Sequence, residues 1–178
     1  MQAKSSLAAP TRRQMMSAVA VTMGSLAAVP RLLGQPQQNM METPSTGAEG
    51  LLTYLHQEVE VKAAAQRVYE ALLDSKQFAA FTGAPADISR DAGGTFSLFG
   101  GLIVGRNVEL VLHQRIVQAW RPSHWEPGVY SMVKFELRER GAQTRIVLDH
   151  TGFSEGNFRH LNAGWNEHYW EPLKNFLA

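Results

Sequence analysis

Across residues 51–63, "LLTYLHQEVEVKA" alternates apolar and polar positions through Leu55, Val59 and Val61, the period of a half-buried strand. The period then changes. In "AAAQRVYEALLDSKQFAAF", Val68, Leu72 and Leu73 recur at helical spacing, joined by Phe78 and Phe81, and "TGAP" closes the run. The spacing predicts two short helices, over 64–74 and 75–81. From there to about residue 157 no helical period returns. "ADISR", "TFSLF", "IVGRNVELVL", "QRIVQAW", "YSMVKFELRE" and "TRIVLDHTG" read as six strands, divided by "DAGG", "GG" and "RGAQ". Gly93 with Gly94, Gly100 with Gly101, and Arg140 with Gly141 are the expected hairpin turns. With no helices between them to carry parallel crossovers, these strands and the first form one antiparallel sheet of about seven strands in an α+β domain.

Parity assigns the faces. Val129, Ser131, Val133, Phe135 and Leu137 share one side, and Tyr130, Met132, Lys134 and Glu136 share the wetter one. Thr144, Ile146, Leu148 and His150 likewise lie opposite Arg145, Val147 and Asp149, which places His150 on the buried side. The final stretch, "GWNEHYWEPLKNFL" at 164–177, raises a different question. Glu167, His168 and Glu171 have a spacing that a metal site on a helix could use. At 100° per residue, however, Phe158, Leu161, Tyr169, Pro172, Leu173 and Phe176 gather within about 80° of Trp165, while Glu167, Glu171 and Lys174 face away. The carboxylates are expected in water, Glu171 pairing with Lys174, with His168 at the border. Gly164 is expected to let the helix approach the sheet closely, and Pro172 to bend its end near His168.

The first 50 residues follow another logic. "TRRQMM" at 11–16 precedes a short, weakly apolar run of small residues at 17–29, a pattern that resembles a twin-arginine export signal carried by Arg12 and Arg13. Small residues at Ser25 and Ala27, or at Thr46 and Ala48, satisfy the cleavage rule equally. "QPQQNMMETPSTGAE" is polar and has too little to bury, so the organisation reads as a signal peptide over 1–34, a flexible linker over 35–50 and a folded body over 51–178. The expected location is periplasmic or secreted, with the export machinery as a partner. The whole chain of 178 residues carries a formal charge of +1, but four of its 17 basic residues and one of its 16 acidic ones precede residue 49. The body is therefore slightly acidic and has no charge-driven reason to bind nucleic acid. No continuous apolar run approaches the length of a membrane span. The absence of cysteine excludes disulfides, thiol nucleophiles and thiolate-bound metal.

The order of strand, two helices, six strands and long terminal helix resembles the helix-grip, or START-like (SRPBCC), superfamily. "VEVKAAAQRVYEALLD", "DAGGTFSLFGGLIVGRNVEL", "RIVQAWRPSHW", "SMVKFELRERGAQTRIVLDHTGF" and "GWNEHYWEPLKNFL" are similar to the motifs of one branch, named after activators of the heat-shock-protein-90 ATPase. The resemblance covers about residues 53–177. It implies a curved sheet wrapped around the terminal helix with a cavity between them. Beside it, parity puts Phe96, Leu98, Trp120, Val133, Phe135 and His150 on inner faces, with Trp165 and Tyr169 opposite and Trp125 in the loop "RPSHWEPG" at the mouth. This set reads either as a filled core or as the lining of a site for a small apolar or amphipathic molecule.

Catalytic motifs are sparse. No G-x-S-x-G elbow is present, and Ser97 and Ser131 read as strand residues. The histidines at 56, 113, 124, 150, 160 and 168 show neither H-x-H nor H-E-x-x-H spacing, and the glycine-rich run leads into strands rather than a helix. No cofactor or metal is expected. Three functions follow: an exported binder of a small hydrophobic molecule; an enzyme on such a ligand with His150 as general acid or base; and a chaperone-ATPase regulator, which export disfavours because chaperone and ATP are cytoplasmic.

Overall fold

The structure is a computed structural model, and it describes residues 49–178. The segment expected to be an export signal and all but the last two residues of the expected linker lie outside the described residues. Glu49 and Gly50 are already tied to the body, Gly50 accepting a hydrogen bond from Gly156 N at 2.8 Å and Glu49 pairing with Arg159 at 3.0 Å.

The chain runs β1 (Tyr54–Val61), α1 (Ala65–Leu73), α2 (Ser75–Thr82), β2 (Asp87–Ile88), β3 (Thr95–Leu98), a 3₁₀ turn (Phe99–Gly101), β4 (Ile103–Val111), β5 (Arg115–Pro122), β6 (Ser131–Arg140) and β7 (Gln143–Thr151). It ends in one long helix of three parts: α3 (Phe158–Gly164), a π-helical turn (Trp165–Trp170) and α4 (Glu171–Leu177). The seven strands form one antiparallel sheet in the order β1-β7-β6-β5-β4-β3-β2. The curved sheet holds the terminal helix against its inner face, the helix-grip architecture that the resemblance implies.

Local chemistry explains the joints. Asp74 caps α2 by accepting from the backbone N–H groups of Lys76 and Gln77, and Gly83 closes it in the left-handed region. Gly105 serves a close approach: a Cβ there would meet Ala119 O at 2.2 Å and the Phe96 ring at 2.3 Å. The Phe96 ring therefore lies directly on bare backbone. A register shift in β4 between Asn107 and Glu109 is pinned by the fully buried Asn107. Its side chain donates to Ser89 O at 2.7 Å and accepts from Gln118 Nε2 at 3.0 Å, so the bulge leaves no buried amide unmatched.

Parity holds along β6 and β7, with Ser131, Val133, Phe135, Leu137, Thr144, Ile146, Leu148 and His150 all buried. One residue departs from it. Val129 is exposed, because the strand starts only at Ser131 and the turn at Gly128 comes just before it. Val147 faces outward yet is buried, since its partners across the sheet are Glu58 and Glu136. Their long side chains cover it while their carboxylates join Lys134, Arg138 and Arg145 in surface ion pairs. Asp149 belongs to the same canopy. Burial raises its carboxyl, but hydrogen bonds from His56 and Lys134 outweigh that and hold it below its ordinary value.

The helix departs further from the 100° reading. On a plain α-helix Trp170 falls about 140° from Trp165, well outside the apolar arc. The π-helical turn advances each residue by only roughly 80°. It brings Trp170 back beside Trp165, ring centroids 5.7 Å apart, and carries Leu177 inward with it. Pro172 sits just beyond, in the first turn of α4, where its missing N–H would have served His168 O. Glu171 N bonds instead to Asn166 O, five residues back. Glu167 and Glu171 are exposed, and Lys174 reaches Glu171 at 3.2 Å.

Candidate functional site

Three tryptophans meet between sheet and helix. Trp165 stacks between Trp120 of β5 and Trp170, each 5.7 Å away with planes tilted by 27° and 21°. The two helix indoles are each anchored to the sheet. Trp170 Nε1 donates to Gln57 Oε1 on β1, and Gln57 Nε2 donates back to Asn162 Oδ1 at 2.7 Å. Trp165 Nε1 donates to His150 Nδ1 on β7 at 3.1 Å.

That contact fixes the histidine's chemistry. An indole N–H can only donate, so Nδ1 must be the bare nitrogen and Nε2 carries the proton. Nε2 lies 2.7 Å from Ser131 Oγ, which donates onward to Trp120 O at 3.0 Å. The chain Trp165, His150, Ser131, Trp120 carbonyl is complete, and every proton in it has a place. Burial alone drives the His150 pKa down from 6.5 to about 3, so the ring is neutral at any ordinary pH. Both ring nitrogens are engaged within the protein, an arrangement that ties helix to sheet and leaves no lone pair for a substrate.

Beside this closed cluster lies a cavity of about 340 Å³, within the roughly 300–1,000 Å³ range of small-molecule sites. One wall is the helix, through Leu161, Gly164, Trp165 and Tyr169. The other is the strand-end region, through Phe99, Leu102, Ile103, Trp120 and Pro122. His124, His160 and His168 line the rim and are exposed. Phe99 is held in the left-handed region (φ 53), an uncommon conformation for a bulky residue, with its ring 5.5 Å from Tyr169 and 6.3 Å from His168. The loop after β5 is fastened by Arg121, whose Nη1 donates to Ser123 O and Trp125 O at 3.3 and 3.0 Å.

Of the residues expected around a cavity, Trp120, Trp165 and Tyr169 line it. Phe96, Leu98, Val133, Phe135 and His150 are buried in the core without lining it, and Trp125 packs partly against that core. The lining from Phe99, Leu102, Ile103, Pro122, Leu161 and the rim histidines is new. The "RPSHWEPG" loop already pointed to Pro122 and His124 and the helical phase to Leu161 and His168, while Phe99 and Leu102 had only the "FGGL" run, an aromatic before a double-glycine turn, to signal them. Gly164 plays another part than the one expected of it. A Cβ there would meet nothing of the sheet, only His168 Cδ2 at 4.0 Å, so its missing side chain leaves room in the pocket instead. Among the described residues no three histidine, aspartate or glutamate side chains converge as metal ligands, and no helix is long and apolar enough to cross a membrane.

The fold and this groove define a helix-grip domain. Residues 62–178 match the family described as activator of Hsp90 ATPase homolog 1-like protein, and the chain belongs to that family. It is 26% identical over 109 residues to the human activator of 90 kDa heat shock protein ATPase homolog 1, covering 61% of this chain and 32% of that one. A Dictyostelium discoideum homologue is 29% identical over 120 residues, covering 67% and 31%. The chain thus spans about a third of the length of these curated relatives. Among solved structures, an HSP90 activator from Plasmodium falciparum superposes with a TM-score of 0.67 at 23% identity, covering 71% of this chain and 96% of that one. The Aha1 dimer from Colwellia psychrerythraea gives 0.62 at 18%, with the same coverage.

Proposed function

We propose that this chain is an exported binding domain that holds one small apolar or amphipathic molecule between β4, β5 and the π-helical turn. The observation that carries the reading is the 340 Å³ pocket with aromatic walls, formed beside a core that is otherwise closed. The engagement of both His150 nitrogens supports binding over acid–base chemistry. The "TRRQMM" segment supports export. Native mass spectrometry of protein purified from the periplasm tests both parts. A co-purified small molecule is expected, and it should be lost in Gly164→Leu, which adds a side chain to the pocket wall without backbone strain. Cytoplasmic retention of an Arg12→Lys, Arg13→Lys double variant is expected as well. Wild-type protein found in the cytoplasm, or free of any ligand that Gly164→Leu displaces, would refute the reading.

A second reading follows from family membership: regulation of a 90 kDa heat shock protein ATPase, as the relatives' names state for them. The human relative is about three times longer than the part matched here, whereas the Plasmodium falciparum chain is covered almost whole. An ATPase assay with the chaperone and this chain decides it, and no stimulation is expected.

A further inference from the structure

The polar groups on the inner side of the sheet are matched almost without exception. Asn107, Gln118, Ser131, Thr144, Trp165 and Trp170 each have partners. Trp120 does not. It is 5% exposed and lines the pocket, and its Nε1 is buried without a hydrogen-bond partner. The Tyr169 hydroxyl lies beside that N–H, whose approach lowers its pKa against the larger rise from burial, but the contact falls short of good hydrogen-bond geometry. A poorly matched indole N–H and a phenol hydroxyl thus stand side by side at an apolar wall. An unmatched buried N–H is costly, and natural structures keep few of them.

We infer that Trp120 Nε1 and the Tyr169 hydroxyl form a subsite for one neutral hydrogen-bond acceptor, a ketone, ester or amide oxygen carried on an apolar ring-bearing body. This rests on the ligand-binding reading above and adds to it the class of molecule. Neutrality follows from the surroundings. No lysine or arginine lines the pocket, and the histidines stand at its exposed rim. A carboxylate reaching the two donors would lose its water and gain no counter-charge. The site already disfavours charge on its own groups: burial raises the Tyr169 phenol well above its ordinary value and lowers His150, behind the tryptophan stack.

Three probes of one shape separate the possibilities: 2-acetonaphthone, which carries a ketone; 2-ethylnaphthalene, which lacks the acceptor; and 2-naphthoate, which is an anion. Calorimetric titration into the full chain at pH 7.4 should rank the ketone about tenfold tighter than the hydrocarbon, with the carboxylate weakest. The ketone should also move one indole N–H resonance, the one missing from Trp120→Phe. Trp120→Phe should collapse the discrimination, bringing the ratio of ketone to hydrocarbon affinity from about tenfold to near one whatever it does to both affinities together. Tyr169→Phe should lower the ketone's affinity by a smaller factor, and it keeps the proposal testable if the first variant folds poorly. Equal binding of ketone and hydrocarbon, or tightest binding of the carboxylate, would overturn the subsite while leaving the pocket a binding site. No binding of any probe would overturn the ligand-binding reading, and the subsite with it.

Discussion

Towards β7 and β1, Trp165 and Trp170 each donate an indole N–H to an acceptor on the sheet; towards β4 and β5, the N–H of Trp120 meets none. The same side chain, in rings stacked within 6 Å of one another, is treated in opposite ways at the two sides of one groove. The first side is finished: donors and acceptors are matched, and helix and sheet are bound into one unit. The second is left with aromatic walls, an indole N–H without a well-formed hydrogen bond and a cavity. One side is closed by matched hydrogen bonds and the other is open, and on the binding proposal the first serves stability and the second a ligand, a division that can be tested side by side.

The largest effect is expected from His150→Leu. It removes the acceptor for Trp165 and a donor to Ser131 while leaving both buried, which should cost about 3 kcal/mol in urea unfolding. A loss below about 1 kcal/mol would mean that the chain of hydrogen bonds does not hold the helix. The same residue sets a pH dependence. Its folded pKa, about 3, lies below the ordinary 6.5, so under pH 6.5 the unfolded chain takes up a proton that the folded one refuses. The stability is fully present above pH 6.5 and is lost as pH falls towards 3, by up to about 1.4 kcal/mol per unit. Wild type should weaken measurably between pH 6.5 and 5 by chemical denaturation, and His150→Leu should show this slope reduced.

The comparison itself is sharpened by making one substitution on both sides. Trp165→Phe and Trp120→Phe remove the same atoms, but only the first leaves a buried histidine nitrogen without its donor. Trp120→Phe removes an N–H that was already unmatched. Trp165→Phe should therefore be the more destabilising by about 1–2 kcal/mol. Equal losses would show that ring volume alone governs both sites.

How far this division could be read from the sequence differs by side. Period-2 alternation placed Ser131, Thr144 and His150 on the inner face, because strand parity is local and needs no knowledge of partners. Glycine and aromatic positions likewise marked the turns and the terminal helix. Trp170 and Leu177 were not legible, because a π-helical turn changes the angular step and Pro172 alone does not reveal where the extra residue falls. The pocket was half legible. Trp120, Trp165 and Tyr169 follow from parity and helical phase, whereas Phe99, Leu102 and His124 reach the helix-borne His160 and His168 only through the turn after β3 and the loop after β5. Parity put Val147 on the outer face, where it lies, but could not show its burial: its shelter comes from glutamates on neighbouring strands, which no window along β7 contains.

The smallest effect tests the open side alone. Gly164 sits in the helix at φ −58, an ordinary helical conformation, with no sheet atom within reach of an added Cβ. A glycine inside a helix costs roughly 0.5–1 kcal/mol relative to alanine, chiefly through the freedom it gives the unfolded chain. Gly164→Ala should therefore raise stability by about that amount in thermal or urea unfolding. Had the glycine been needed for close packing of helix on sheet, the same change would destabilise, and the sign separates the two accounts. A stabilising substitution at a pocket wall would mean that the glycine there is kept at some expense to the fold. That is the pattern expected where the room itself is used, and the same variant should bind 2-acetonaphthone more weakly than wild type does.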